Sequence, residues 1–312
     1  MGLFDKLKGP VFYKEDSFAD QQLNELEELM KTASGEVAEA IEREIQLVKA
    51  GIAGEKQVRF ELENSHIPMY ILHDLYLEFN GLTAQIDYLI ITRYHQYVIE
   101  CKNLVGNIEI NNNGDFIRTM TYGKATKKEG IYSPITQNRR HLELIKEMRA
   151  SEKNILTKAL FEKSFYQNYL SLVVLANPKT VLNARFAKKE IKEQVIRADQ
   201  LADYIRNHDA TPGAVSCSEK EMEELARYFL SAHRGCKTDY AERFRLQIGK
   251  SQSLERATSN ETASEISDSD TPKCPKCGAP MIKRRAAKGD NAGKEFYGCS
   301  KYPKCRGIVP IT

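Results

Sequence analysis

The chain has 312 residues, 41% apolar and 29% charged. This composition excludes a fibrous or largely disordered chain and leaves room for two domains. Its most apolar run, Leu172–Ala176, is far shorter than the roughly 18 residues of a membrane span, so no stable membrane association is expected. The net charge of +3 is uneven: the last forty residues carry ten basic and two acidic side chains, +8, which leaves −5 elsewhere. The sequence thus places the attraction for a polyanion near the C-terminal end.

The chain divides into regions of different periodicity. Residues 1–50 are interpreted as an N-terminal helical region, because apolar residues from position 23 onward recur at helical spacing among many Glu and Lys residues. Residues 51–180 alternate between short β-rich runs and helical runs, which predicts an α/β domain. Residues 181–250 contain two further helical patterns and are interpreted as a mainly helical extension.

Cysteines concentrate in the last region, residues 272–312. It follows a segment, residues 251–271, that has hardly any large apolar side chain and is predicted to be a flexible linker. Four of the seven cysteines form a Cys-x2-Cys and a Cys-x5-Cys pair, a spacing suited to tetrahedral Zn²⁺: Cys274, Cys277, Cys299 and Cys305. Two disulfides are the alternative, but a chain without a secretory signal is expected in a reducing compartment. Zinc would also stabilise a module too small to be stable on core burial alone.

The residues around these cysteines indicate a family. CPKCGAPMIKRR and EFYGCSKYPKCRG resemble the four-cysteine zinc ribbons in the C-terminal regions of bacterial type IA topoisomerases. Such ribbons bind DNA, often single-stranded, with aromatic side chains on the bases and basic side chains on the phosphates. The resemblance implies these roles for Phe296, Tyr297, Tyr302, Arg284, Arg285 and Lys304. The alternative for the aromatic residues is that they cover the zinc core, and for Phe296 the two interpretations are equally supported.

Two apolar runs in the α/β domain, residues 85–92 and 96–103, are predicted strands with charged side chains in them: Asp87, Glu100 and Lys102. Alternate residues of a strand share a face, so Glu100 and Lys102 point the same way. Two carboxylates on one face can hold Mg²⁺ or Mn²⁺, and Lys102 beside them can orient a water or neutralise charge on a phosphate. The alternative is a salt bridge among the three side chains.

The connection between the two strands decides whether the carboxylates meet. If Thr92 pairs with His95, Asp87 lies opposite Glu100. A three-residue loop would instead turn Asp87 to the other face of the sheet. The register of this hairpin is therefore part of the hypothesis.

The pattern of an Asp in one strand and Glu-x-Lys in the next resembles that of the PD-(D/E)xK, or restriction-endonuclease-like, nucleases. The surrounding segments are similar to one branch, the nuclease-related domain called NERD: GIAGE (51–55), IDYLII (86–91), VIECKN (98–103) and SPITQ (133–137). The resemblance implies an α/β fold with a restriction-endonuclease-like mixed sheet flanked by helices. Ile86 is a departure, since it stands where the general motif has Pro.

The resemblance also implies roles for individual residues. Asp87 and Glu100 would be ligands of a catalytic Mg²⁺ or Mn²⁺, and Lys102 the catalytic lysine. Glu55 would approach the metal from an N-terminal helix, and Gln137 would help to place the phosphate or water from a later helix. The alternatives are a solvated Glu55 and a Gln137 that satisfies backbone groups.

The resulting hypothesis is a metal-dependent nuclease that cleaves DNA phosphodiester bonds, joined to a structural zinc ribbon that binds DNA, with single strands favoured and RNA left open. The alternative is a non-catalytic DNA- or RNA-binding adaptor that uses a nuclease-like fold. A weaker possibility is a ribbon that binds a protein partner. The resemblance implies a bacterial, cytoplasmic protein.

Overall fold

The computed structural model describes residues 7–211, 215–236, 239–250, 272–286 and 293–311. The predicted linker, residues 251–271, lies outside them. The chain divides into two compact units, the first ending at Ile248 and the second beginning at Gly249. The finer boundaries predicted at residues 50 and 180 stay predictions.

The first unit alternates strands and helices. In chain order they are β1 (Pro10–Lys14), α1 (Phe18–Met30), α2 (Gly35–Glu63), β2 (Met69–Phe79), β3 (Leu82–Ile91), β4 (Gln96–Lys102), β5 (Asn107–Ile110), β6 (Phe116–Tyr122), β7 (Ala125–Ile131), α3 (Pro134–Ser151), α4 (Ile155–Asn168), β8 (Tyr169–Leu175), β9 (Leu182–Asn183), α5 (Lys189–Lys192), β10 (Val195–Arg197), α6 (Leu201–Asp209) and α7 (Glu219–Ala232). Residues 242–250 are also helical.

The main sheet has the order β1-β2-β3-β4-β8-β10. Strands β2, β3 and β4 are antiparallel neighbours, whereas β4, β8 and β10 run parallel. Apolar side chains on both faces of these strands are buried, one set against α3, α4 and α7 and the other against α2 and α6. The predicted α/β fold class, a mixed sheet flanked by helices, is confirmed.

A second sheet has the order β7-β6-β5-β9; its strands β5, β6 and β7 are inserted between β4 and α3, and β9 joins its edge from the segment after β8. Its side chains Ile108, Ile110 and Phe116 pack against Val173 and Leu175 of β8. The chain therefore leaves the end of β4, crosses this small sheet, and returns to the main sheet through α3. This path matters for the site, because predicted site residues lie on both sides of the insertion.

The N-terminal apolar pattern forms α1 and the first half of α2, as its spacing predicts. Leu26 and Ile41 pack against Phe244 of the helix at residues 242–250. Two features differ from the sequence-based expectation. Residues 10–14 form a strand within the region predicted to be helical, and residues 195–197, in the predicted helical extension, form the edge strand β10.

The second unit is a three-stranded antiparallel sheet made of β11 (Met281–Arg285), β12 (Glu295–Cys299) and β13 (Ile308–Pro310). The four predicted cysteines lie close together at one end of it. In the described parts of both units, no helix has the length and apolar character needed to cross a membrane.

Candidate active site and zinc site

The hairpin of β3 and β4 has the register that the hypothesis requires. The Thr92 backbone N–H donates to the His95 carbonyl at 2.9 Å, and the ladder continues from there to the pair Tyr88 and Ile99. At the next position in this register Asp87 lies opposite Glu100, the other predicted acidic residue. Regular pairing ends there, so the carboxylates lie where the two strands separate.

The Asp87 side chain accepts a hydrogen bond from the backbone of β4 just beyond the last regular pair of the two strands. Its Oδ2 accepts a hydrogen bond of 2.6 Å from the Cys101 backbone N–H. Burial raises the pKa of Asp87 well above its usual value, and the nearby carboxylates of Glu100 and Glu55 raise it further, while the Cys101 N–H and the charge of Lys102 oppose the rise only partly. A cation near Asp87 would relieve this unfavourable burial of negative charge.

Glu100 and Lys102 form an ion pair beside Asp87. Lys102 Nζ donates to Glu100 Oε1 at 2.5 Å and to Gln137 Oε1 at 3.3 Å. Burial raises the pKa of Glu100, opposed by Lys102. For Lys102 burial lowers the pKa, but the charges of Glu100 and Asp87 outweigh it and the net shift is upward. Lys102 therefore stays protonated and supplies a fixed positive charge.

Glu55 reaches the site from the long helix α2. Its Oε2 lies 2.8 Å from His73 Nε2, while His73 Nδ1 lies 3.1 Å from the Glu15 carbonyl. Burial lowers the pKa of His73, but the hydrogen bonds to Glu55 and to the Glu15 carbonyl raise it by more, so the net shift is upward. Since both ring nitrogens face acceptors, the imidazole can satisfy both only as the doubly protonated cation.

Gly54 lets α2 approach β4 this closely. A Cβ at this position would lie 2.6 Å from Asn103 Cβ and 3.4 Å from Ala176 Cβ. At Gly51, the preceding glycine of the same helix, nothing lies within 4 Å of an added Cβ. Gly54 is therefore a packing requirement that holds Glu55 beside the strand ends.

These side chains line one polar cleft of about 240 Å³. It contains all five residues predicted for the active site, together with four others: Glu55, Asp87, Glu100, Lys102 and Gln137, with Gly51, Gln85, Cys101 and Asn103. Across the described residues, no three Asp, Glu, His or Cys donors of this cleft lie within 4.8 Å of one another. A cation bound here would therefore keep water ligands, which suits Mg²⁺ or Mn²⁺. The donor set of carboxylate oxygens fits such an ion.

Sequence reasoning missed His73 and His141. His141 lies one helical turn after Gln137 on α3, and its Nδ1 is 3.8 Å from Glu100 Oε2. Burial, followed by the charge of Lys102, lowers the pKa of His141 to about 4, so the ring is neutral near pH 7. The i, i+4 spacing of Gln137 and His141 was the available signal, since such residues share a helix face.

The second unit brings the four cysteines together with metal-site spacing. Their Sγ atoms all lie within 4.8 Å of one another, with 3.8 Å between Cys274 and Cys305 and 3.5 Å between Cys277 and Cys299. Zn–S bonds of about 2.3 Å in a tetrahedron place sulfur atoms about 3.8 Å apart. Zinc at this site is thus supported by geometry as well as by spacing.

The backbone around Cys274 prepares it to bind a metal. Burial raises its pKa, but hydrogen bonds from the backbone of Lys276 and Cys277 and from the thiols of Cys277 and Cys305 together outweigh this, and the pKa falls to about 7. Gly307 approaches the same sulfur: a Cβ there would lie 2.2 Å from Cys274 Sγ. Glycine at this position is therefore required for the cysteines to close around an ion.

The predicted nucleic-acid residues divide between two faces of the ribbon. Tyr297 packs in the small core with the cysteines, whereas Phe296 faces the other way. On that other face Gly298 leaves room for the Arg284 side chain, and the guanidinium lies 5.6 Å from the centre of the exposed Tyr302 ring. Aromatic and basic groups thus form one open face.

Arg285 and Lys304 lie elsewhere on the ribbon. Arg285 alternates with Arg284 along β11, so it lies on the face of Tyr297, and its Nε donates to the Gly293 carbonyl at 2.9 Å. Lys304 is exposed between the third and fourth cysteines. The six predicted contact residues therefore do not form a single surface.

Comparison with known proteins agrees with both parts of the structure. Residues 50–176 match the model of the nuclease-related domain, NERD, and residues 271–312 match the topoisomerase DNA-binding C4 zinc finger. The chain thus carries a NERD domain followed by a topoisomerase-type C4 ribbon.

A similar curated protein is DNA topoisomerase 1 of Methanocaldococcus jannaschii, which is 49% identical over 39 residues. The match covers 12% of this chain and 4% of the topoisomerase. No solved structure matches the chain.

Proposed function

We propose that the protein is a metal-dependent nuclease that hydrolyses phosphodiester bonds of DNA, with its chemistry in the cleft at the end of β4 and its substrate binding in the zinc ribbon. The observation that carries the proposal is the convergence of Asp87, Glu100 and Lys102 where two strands separate. The match of residues 50–176 to the nuclease-related domain supports it.

Asp87 and Glu100 would hold a divalent cation through carboxylate oxygens. When bound, the cation would supply Lewis-acid stabilisation of the phosphate charge and lower the pKa of water. Asp87 is held for this task by Cys101 N–H, which occupies one of its two oxygens. Without a cation the carboxylates repel one another in a partly buried site, so the site favours binding of positive charge.

Lys102 would orient the attacking water or stabilise charge on the phosphate oxygens. Its ammonium group donates to Glu100 and to Gln137, and these two hydrogen bonds hold the Lys102 side chain in a rotamer that points into the cleft. Gln137 would in turn hold Lys102, through its carbonyl oxygen. Glu55 would add negative charge at the rim of the cleft, where His73 limits its effect.

The ribbon would bring DNA to this cleft. Arg284, Phe296 and Tyr302 share an open face, on which bases can stack and a phosphate can pair with the guanidinium. Stacking of this kind needs unpaired bases, so we expect single strands to bind more tightly than duplexes. RNA carries the same kinds of base and phosphate, so the cleavage test compares DNA with RNA to find which sugar the protein prefers. Reduced cysteines at the zinc site suit a cytoplasmic location.

The test is cleavage of end-labelled single-stranded and duplex DNA, and of the matching RNA strand, by zinc-loaded protein with and without Mg²⁺ or Mn²⁺. Product should form only with the added cation, and Lys102→Ala should abolish it. Lys127→Ala is the matched control, because Lys127 is an exposed lysine paired with Glu129 on β7. It should cleave like the wild type.

The adaptor is the alternative outcome of the same experiment. If the wild type binds DNA tightly and forms no product with either cation, the nuclease proposal is wrong. The cluster of Asp87, Glu100 and Lys102 would then be structural or would bind phosphate. Equal cleavage by wild type and Lys102→Ala would also contradict the proposal, since the activity would come from another source.

A further inference from the structure

The segment between β8 and β10, residues 177–192, has a charge opposite to that of the chain around it. It carries five exposed basic side chains and one acidic side chain: Lys179, Arg185, Lys188, Lys189, Lys192 and Glu190. Its charge is thus +4, and since residues 1–272 sum to −5, the rest of them carry −9. Arg185 and Lys188 have no acidic partner among the described residues. Their positive charge is therefore available to a polyanion.

An exposed aromatic ring lies within this positive segment. Phe186 is 64% exposed, although phenylalanine is usually buried. The Arg185 guanidinium lies 5.6 Å from the centre of the Phe186 ring, within the range of a cation–π contact. An open ring beside a guanidinium can stack on an unpaired base while the guanidinium binds the adjoining phosphate. The ribbon has the same combination in Arg284 and Tyr302, whose separation is also 5.6 Å.

The backbone around Phe186 is fixed by packing and by a turn. Ala187 is buried in the apolar cluster that joins β8 to the second sheet. The Ala187 N–H donates to the Ala184 carbonyl at 3.1 Å, which closes a tight turn around Arg185 and Phe186. The ring and the guanidinium are thus presented from an ordered backbone. Binding here costs less conformational entropy than binding to a mobile loop would.

The segment begins beside the cleft. Directly after β8, the Ala176 N–H donates to the Lys102 carbonyl at 3.0 Å. Further along, Thr180 Oγ1 donates to the Leu104 carbonyl at 2.6 Å. The segment therefore leaves the sheet alongside the residues that follow Lys102. A strand of several nucleotides that lies on the segment can continue to the cleft.

We propose that residues 177–192 form a second contact for single-stranded DNA, in which Phe186 stacks on a base while Arg185 and Lys188 bind phosphates. The inference rests on the proposed function for the nature of the ligand, and it gives the first unit a DNA contact separate from that of the ribbon. Charge complementarity favours a nucleic acid, and the open ring favours unpaired bases over a duplex.

The first test is photo-cross-linking of the full-length, zinc-loaded protein to single-stranded DNA that carries iododeoxyuridine. An iodinated uracil that stacks on an aromatic ring cross-links to it on irradiation, and mass spectrometry identifies the residue. Cross-links should appear at Phe186 as well as on the ribbon. The reaction is run without added Mg²⁺ or Mn²⁺, so its result does not depend on cleavage.

The stacking contact is measured with Phe186→Ala. This variant should bind single-stranded DNA about 5- to 150-fold more weakly than the wild type, which is the effect of losing one stacked base. Binding of the matching duplex should weaken less. Leu156→Ala is the matched control, because Leu156 is an apolar residue of α4 that is 84% exposed. It should bind single-stranded DNA like the wild type.

The phosphate contacts are measured by the salt dependence of binding. On single strands, each phosphate contact contributes about 0.7 to the slope of log affinity against log salt concentration, so Arg185→Ala with Lys188→Ala should reduce the slope by about 1.4. Arg43→Ala with Lys220→Ala is the control. It removes the same charge from two exposed side chains that pair with glutamates on their own helices, and its slope should equal that of the wild type.

Two results would overturn the inference. The first is cross-linking confined to the ribbon, which is the result expected if the segment binds an acidic protein instead of DNA. The second is wild-type DNA affinity and salt dependence in the variants of Arg185, Phe186 and Lys188, with far-UV circular dichroism showing that they are folded. Cleavage is a separate readout: cross-links at Phe186 in a protein that forms no product with either cation would support this contact and contradict the proposed nuclease.

Discussion

At the scale of single residues, the cleft concentrates negative charge that the fold alone does not need. Asp87 is the clearest case, since its pKa is raised well above the usual value by burial and by Glu100 and Glu55. Its ionised form is therefore disfavoured in the folded protein without a cation. A carboxylate that is unfavourable to bury without a cation is what the proposed metal site would require.

Asp87→Asn should raise the free energy of unfolding of the metal-free first unit at pH 7, because the neutral amide avoids the cost of ionising a carboxyl whose pKa is raised well above its usual value by burial. Asn keeps an oxygen that accepts from Cys101 N–H. Urea unfolding followed by helical circular dichroism measures the change.

The pH dependence of this gain has a defined sign. A carboxyl with a raised folded pKa destabilises the protein as pH rises from its unfolded value through the folded one. The advantage of Asp87→Asn should thus be present at neutral pH and disappear as pH falls below the unfolded pKa of about 3.9. An advantage that persisted in acid would show that the carboxylate charge is not its cause.

Gly307→Ala should weaken zinc binding, because the added methyl would lie 2.2 Å from Cys274 Sγ. The cysteines could then close on an ion only if the backbone shifted. Competition with a chromophoric chelator measures zinc affinity. Gly298→Ala is the matched control: its Cβ would press on the flexible Arg284 side chain, at 3.2 Å, and make an ordinary contact with Phe296, at 3.5 Å, so its zinc affinity should equal that of the wild type.

Strand periodicity and resemblance were sufficient to predict which residues meet in the cleft. Asp87 and Glu100 follow from hairpin register, and Lys102 from alternation along β4. His141 was missed because its position relative to Glu100 depends on how α3 packs on β4, which is a tertiary property. The catalytic roles assigned to these residues stay predictions until cleavage is measured.

At the scale of elements, the approach of α2 to the end of β4 sets the position of Glu55. Gly54→Ala should push the helix away, because its Cβ would lie 2.6 Å from Asn103 Cβ. Overpacking of this kind costs about 1–3 kcal/mol. Thermal unfolding of the variant measures the loss, and Glu55 should also move away from the proposed metal site.

Gly51→Ala provides the comparison on the same helix. Nothing lies within 4 Å of a Cβ there, and alanine in a helix is more favourable than glycine by about 0.5–1 kcal/mol. This variant should be slightly more stable than the wild type. If both variants lost the same stability, close packing at Gly54 would not be the explanation.

Successive side chains of β12 point to opposite faces of the ribbon, so residues proposed to bind DNA can be changed separately from residues that pack around the cysteines. Phe296→Ala should reduce affinity for single-stranded DNA without changing zinc affinity, since Phe296 lies on the open face with Arg284. Loss of one stacked base corresponds to about 1–3 kcal/mol. Fluorescence anisotropy with a labelled oligonucleotide measures it.

Tyr297→Ala should do the reverse and weaken zinc binding, because Tyr297 packs against the cysteines. The resemblance implied DNA contacts for both neighbours, although adjacent residues of a strand point to opposite faces. It could not predict which face covers the zinc, because both are aromatic and the choice depends on the arrangement of four cysteines. If Phe296→Ala bound DNA as tightly as the wild type, the assignment of the DNA-binding surface to the face of Phe296 would be wrong.

The edge strands show what local patterns could not predict. β1 lies in a region dominated by the apolar spacing of α1 and α2, and its partner β2 is more than fifty residues away. β10 is three residues long and is held in the sheet by its parallel pairing with β8. Long-range pairing creates both strands, so helical periodicity in the surrounding sequence concealed them.

At the scale of the whole molecule, the proposed function divides between the two units. The first carries the cleft and a fold that residues 50–176 place with the nuclease-related domain. The second carries the cysteines and the open aromatic face. A tether between a binding module and a catalytic domain raises the local concentration of substrate. We therefore expect ribbon variants to affect binding and cleft variants to affect chemistry.

Single-turnover cleavage of one labelled single strand, with protein concentration varied to saturation, measures this division most directly. With Mn²⁺ present, Phe296→Ala should need more protein but reach the wild-type rate at saturation. Lys102→Ala should bind like the wild type and form no product at any concentration. Cleavage by Lys102→Ala at the wild-type rate, or no cleavage by saturating wild type, would contradict a nuclease centred on the end of β4.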